Sequence, residues 1–178
     1  NDAHRAGSTY LNSANIHNIL ARSIIDRKWF PAAFRAGHNT ERPDSHYFLE
    51  QWIPFDYSNQ STYDDKNESP DCNRFGMWHR ASKKWIPYHP SYNDYQLLGG
   101  MNRLTTKCLN IGTRCKLLSD EEIEHAFQDA LDNDSAILAF TNHDFRDMSI
   151  DIEDIYGRIN EIHKKYPSVH TINSDAAI

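Results

Sequence analysis

His143 stands just past an apolar run, Ala136-Ile137-Leu138-Ala139-Phe140, and is followed by Asp144 and Asp147. An imidazole held at the C-terminal end of a buried strand can give a proton to a leaving amine near neutral pH, which is general-acid chemistry. The two aspartates are close enough in sequence to orient its ring; the plainer reading is a histidine that hydrogen-bonds its own loop. Arg35 follows Phe34 and precedes Ala36-Gly37, small residues that let a substrate or a metal approach the backbone. A buried guanidinium needs a carboxylate partner, and the pair is either a structural ion pair or a tether for a catalytic base. Asp56-Tyr57-Ser58 closes a further apolar run and either touches a substrate hydroxyl or caps a turn.

Between Phe75 and Gly100 the chain carries Trp78, Trp85, Tyr88, Tyr92 and Tyr95 among prolines. Aromatic faces at that density form a platform for the C–H face of a sugar, or they fill a small core of their own. His79 and His89 lie in the same stretch, whereas His17, His125 and His163 fall on helices and are expected to face solvent. The sequence has no GxSxG elbow, no P-loop, no GxGxxG and no HExxH. Serine-hydrolase, nucleotide-enzyme and thermolysin-like readings therefore lack support.

Apolar periodicity predicts the elements that must hold these residues. Ala14 to Arg27 reads as a helix with Ser13 as N-cap and Ile16, Ile19, Leu20 and Ile24 on one face. Trp29 to Gly37 reads as a short buried strand, His46 to Gln51 as a helix, and Trp52 to Ser58 as a strand. Polar residues from Asn59 to Asn73 mark an exposed loop, so that 59–100 forms an aromatic-rich insert. A strand follows around Cys108 to Ile111, then a helix to Leu131 opened by a Ser119/Glu122 capping box with Ile123, Ala126, Phe127 and Ala130 inward. Ala136 to Thr141 is a strand, Ile150 to Lys165 a helix buried through Ile152, Ile155, Ile159 and Ile162, and Val169 to Asn173 a last strand. Strands alternating with helices predict an α/β fold with parallel strands, in which chemistry gathers where strands end.

The 178 residues suit one domain able to bury a core. A formal net charge of -6 and the absence of a long basic cluster argue against nucleic acid as the partner. No stretch approaches the ~18 apolar residues of a membrane span. Cys72, Cys108 and Cys115 make an odd count without CxxC spacing, which predicts free thiols and a reducing, cytoplasmic setting.

The run Phe34-Arg35-Ala36-Gly37, followed by Leu49-Glu50 and then by Ile53-Pro54-Phe55-Asp56-Tyr57-Ser58, resembles the polysaccharide deacetylase (NodB-homology, carbohydrate esterase family 4) family. Ile137-Leu138-Ala139-Phe140-Thr141-Asn142-His143-Asp144 resembles that family's last motif, and the match runs from about His4 to Asp147. The resemblance implies a distorted, incomplete (β/α) barrel and hydrolysis of an N-acyl amide on a sugar, in surface-polysaccharide metabolism. It implies a divalent metal, usually zinc, acting on water and carbonyl together. Under it Arg35 tethers the catalytic base, His143 is the general acid, and His4 falls where a metal histidine belongs. Asp56, Tyr57, Trp78 and Trp85 would line the sugar groove. The family's opening Asp-Asp pair has no counterpart before His4, and the aspartate-to-tryptophan signature is missing from the insert. A relative that had lost its metal would instead bind glycan through the aromatic insert without catalysis.

Overall fold

The computed structural model describes residues 14–36, 41, 43–61, 78, 80–110, 119–134, 136–141 and 149–168. In chain order the elements are α1 (Ala14–Ile25), β1 (Ala33–Phe34), α2 (Pro43–Glu50), β2 (Phe55–Asn59), β3 (Leu104–Asn110), α3 (Asp120–Asp132), β4 (Ala139–Thr141) and α4 (Ser149–Lys165). The strands lie in the order β1-β2-β3-β4, and each neighbouring pair is parallel. Every strand therefore sits beside the next one in sequence, and among the described residues the sheet is open. The predicted mixed α/β class with parallel strands is what is observed. The expected last strand, Val169 to Asn173, lies outside the described residues.

β3 is the centre of the sheet, with Thr105, Thr106, Lys107 and Cys108 all buried. A strand covered on both faces cannot alternate, and the β-branched threonines suit the pleat. This explains why the strand begins at Leu104 rather than near Cys108: the Thr-Thr-Lys run looks like surface but is core. β1 is shorter than predicted. Pro31 has no N–H to give a ladder, β1 is an edge strand among the described residues, and Trp29 and Phe30 before it are half or more exposed.

Among the described residues, two of the apolar clusters pack the helices against their neighbours. Trp85, Ile123, Ala126 and Phe127 pack with Ile155, Ile159 and Ile162, joining α3, α4 and the insert. Phe48, Leu49 and Ile53 pack with Leu20 and Phe34, seating α1 and α2 on β1. The predicted inner face of α1 is only partly covered, since Ile19 is 64% exposed. Ser119 does cap α3, its hydroxyl accepting the Glu122 N–H at 3.2 Å.

The described stretch of the insert, residues 80–100, is tied to the sheet. Tyr88 exchanges both backbone hydrogen bonds with Thr105, at 3.0 and 2.8 Å, and the Ile137 N–H donates to the Trp85 carbonyl at 2.8 Å. It lies along β3 at the level where β4 has not yet begun.

Candidate functional site

Four charged or titratable side chains meet inside the protein around the second residue of β2. Asp56 leads from β2, and its register partner on β3 is Thr105, with Arg103 two residues before it. His46 comes from α2, and Glu41 from the chain just before that helix. All of these residues are at most 2% exposed. His46 Nε2 is 3.2 Å from Glu41 Oε2 and 4.0 Å from Asp56 Oδ2. Arg103 places one terminal nitrogen 3.1 Å from His46 Nδ1 and the other 3.4 Å from Asp56 Oδ2.

Local chemistry explains the positions. The Ser58 N–H donates to Asp56 Oδ1 at 2.9 Å, fixing that carboxyl within its own strand. Tyr95 from the insert lies flat against His46, ring centroids 4.6 Å apart and planes within 8°, and sets the imidazole plane. The Glu50 carboxylate at the end of α2 accepts the N–H groups of Asn102 and Arg103, at 2.6 and 3.0 Å, and so locates the start of β3. The Arg103 guanidinium lies 6.0 Å from the Phe34 ring centroid.

The cluster leaves much of its hydrogen-bonding capacity unused. Glu41 Oε1 and Oε2, His46 Nε2, Asp56 Oδ2, Arg103 Nε and NH2, and Thr105 Oγ1 are buried without a hydrogen-bond partner. Native proteins rarely leave such atoms unsatisfied, and a group of them in one place is where an ion or a polar ligand could bind. Among the described residues, Glu41, His46 and Asp56 form the set whose ligand atoms lie within 4.8 Å of one another, so this group could hold a metal ion. Two carboxylates and one imidazole suit hard to intermediate divalent cations without selecting zinc.

Burial governs the protonation states. Desolvation pushes Glu41 up to about 7 against the pull of Arg103. Asp56 rises to about 6 through desolvation, with Glu41 as a like charge raising it further. The imidazole of His46 is pushed down to about 4, chiefly by burial. The 3.2 Å contact between His46 and Glu41 has the length of an ion pair, but between those values it joins two neutral groups. Buried carboxyls pushed upward beside a guanidinium occur both in structural ion-pair networks and at functional sites, which makes this cluster a candidate site.

Of the residues singled out from sequence, Asp56 belongs to this cluster. The strand does not close there: it runs on to Asn59, and Asp56 lies near its start. Arg35 is adjacent but turned to other work, its guanidinium donating to the Tyr57 carbonyl at 2.7 Å. Among the described residues, the guanidinium within ion-pair distance of Asp56 is that of Arg103. Trp78 and Trp85 are fully buried, so neither offers a ring face on which a sugar could stack. Trp78 meets Tyr95 edge-on at 5.1 Å, and Trp85 packs in the α3–α4 core. The core reading of these two rings is the one the fold supports, because an aromatic-rich insert must fill its own interior.

His143 and His4 lie outside the described residues. β4 ends at Thr141, which pairs with Asn110, whereas β1 ends at the level of Asp56 and Thr105. The ends of β1 and β4 are thus offset by about five residues along β3, roughly 16 Å at 3.3 Å per residue. Comparison with protein-family models, with curated proteins and with solved structures finds no match to this chain.

Proposed function

We propose that this protein is a metal-dependent hydrolase that removes an N-acyl group from a sugar or a surface-polysaccharide precursor, built on an incomplete (β/α) barrel. The observation that carries the reading is the buried Glu41–His46–Asp56 group with its unpartnered ligand atoms. Glu41, His46 and Asp56 would hold the cation, which when bound supplies Lewis acidity toward an amide carbonyl and toward water. Zinc is the metal proposed, because the sequence resemblance to the deacetylase family implies it and the donor set does not oppose it.

The residues around the group have roles consistent with amide hydrolysis. The Arg103 Nε group is a buried donor without a hydrogen-bond partner, and such a donor can stabilise negative charge developing on an oxygen. His143, as general acid, would protonate the departing amine, and Arg35 would secure the wall of the site beside Tyr57. The sequential parallel order of the strands supports the barrel, since singly wound sheets of this kind curl toward closure.

The test is release of acetate from N-acetylated glucosamine oligomers by protein loaded with zinc or manganese. Turnover that a chelator abolishes and added metal restores is expected. H143A should lower kcat by about 100-fold or more while the protein still folds. Absence of acetate release with every metal, from a protein that carries metal at full occupancy, would overturn the reading.

A further inference from the structure

The geometry of Arg103 decides which form of His46 the metal-free protein contains. A guanidinium has only donors, so the nitrogen that meets it at 3.1 Å, Nδ1, must accept. A neutral imidazole that accepts at Nδ1 carries its hydrogen on Nε2. Nε2 is the atom that faces Glu41 and Asp56, and it is the atom a cation would need bare. Once Nε2 ligates a metal, the hydrogen belongs on Nδ1, and Nδ1–H would then point at an Arg103 N–H. Two donors cannot share that contact.

Charge adds to the conflict. The same guanidinium has its other terminal nitrogen 3.4 Å from Asp56 Oδ2, with both side chains fully buried. It therefore stands where a positive charge already serves two of the three prospective ligands, in surroundings that screen charge poorly. Its Nε has no hydrogen-bond partner, so the contacts to His46 and Asp56 are the ones a cation must displace.

We propose that Arg103 is a built-in competitor for the cation: its guanidinium locks His46 in the tautomer that cannot ligate, and metal enters only as that contact breaks. Resting on the metal reading of Glu41, His46 and Asp56, this assigns Arg103 control over the affinity and selectivity of the site. Cations that bind weakly are refused, and those that bind imidazole and carboxylate strongly displace the guanidinium. Manganese falls in the first class and zinc in the second.

Calorimetric titration of metal-free protein with zinc and with manganese, comparing wild type with R103M, tests the proposal. Methionine keeps much of the side-chain length and removes the charge and donors. R103M is expected to bind zinc about tenfold tighter or more, and to narrow the gap between zinc and manganese. Nitrogen-15 spectra of the metal-free wild type should show His46 hydrogenated at Nε2. If R103M fails to fold, R103K serves instead, since a lysine cannot hold both contacts at once. Unchanged or weaker zinc binding in the variant, or a wild-type ring hydrogenated at Nδ1, overturns the inference alone. Uptake of neither metal by either protein overturns the metal reading and this inference with it.

Discussion

Lys107 and Glu122 form an ion pair deep between β3 and α3, Nζ to Oε2 3.0 Å, with neither side chain more than 2% exposed. The ammonium also lies 4.5 Å from the Trp85 ring centroid and donates to the Lys83 carbonyl at 2.7 Å. The same Glu122 oxygen accepts from the Trp85 indole at 3.2 Å. Removing one member of such a pair strands the other charge in the interior, which costs about 3–5 kcal/mol. K107M is expected to lose stability of that order in urea unfolding. The double variant K107M/E122L should recover much of the loss, and a double variant as unstable as the sum of its singles would show that the charges do not act together.

The carboxyl cluster makes stability depend on pH in the metal-free protein. Folded Glu41 keeps its proton up to about 7, whereas an ordinary glutamate releases it near 4.5, so across that range the folded state binds the extra proton. Stability then falls as pH rises. Asp56 acts in the same direction between 3.8 and about 6. His46 acts oppositely between about 4 and 6.5, because the folded ring is neutral where the unfolded ring is charged. Two groups outweigh one up to about 6, and above 6.5 Glu41 acts alone. Relative to E41Q, the wild type is expected to lose about 2 kcal/mol between about pH 5 and about pH 7.5, read by denaturant titration. A constant difference between the two proteins would contradict the assigned burial of that carboxyl.

Gly99 answers for the tightness of the insert. A Cβ there would lie 2.3 Å from the Cα of Ser91, a backbone atom that cannot swing aside. The two arms of the turn are drawn together by the Gly99 N–H donating to the His89 carbonyl at 2.7 Å and the Ser91 N–H donating to the Leu97 carbonyl at 2.8 Å. G99A should cost roughly 2–4 kcal/mol. A Cβ at Gly100 meets nothing within 4 Å, so G100A is the matched control and should change thermal stability little.

Lys28 holds a positive φ of 50° just beyond α1, where the Trp29 N–H returns to the Ser23 carbonyl at 2.9 Å. A side chain in that left-handed conformation is strained by about 1 kcal/mol, and glycine is not. K28G is expected to raise the melting temperature. A lower one would mean that the lysine makes a compensating contact.

Much of the fold was legible because α3 and α4 announce themselves through a cap and a strict apolar stripe. Ile123, Ala126 and Phe127, with Ile155, Ile159 and Ile162, are buried as their spacing requires, whereas Ile152 at the start of α4 is 36% exposed and Ala130 only partly buried. β3 was legible only at its far end, since Thr105, Thr106 and Lys107 are polar residues enclosed by the fold rather than by their own pattern. Of the cluster, Asp56 drew notice as a charge beside an apolar run, while Glu41, His46 and Arg103 did not. A glutamate ahead of a helix and a histidine in its first turns are ordinary surface residues by spacing alone. What unites them with Arg103 is the pairing of β2 with β3 across more than forty intervening residues, and no local rule reports that.

The segment from Trp85 to Thr105 bears on how this protein can change over time. Tyr88 occupies the flank of β3 that a longer β4 would otherwise take, Trp85 plugs the space between two helices, and Tyr95 backs the imidazole. Such a piece cannot be traded as a cassette between relatives, the way surface excursions are. Any lineage that shortens it must rebuild the interior in the same step, which makes its length a trait inherited with the scaffold.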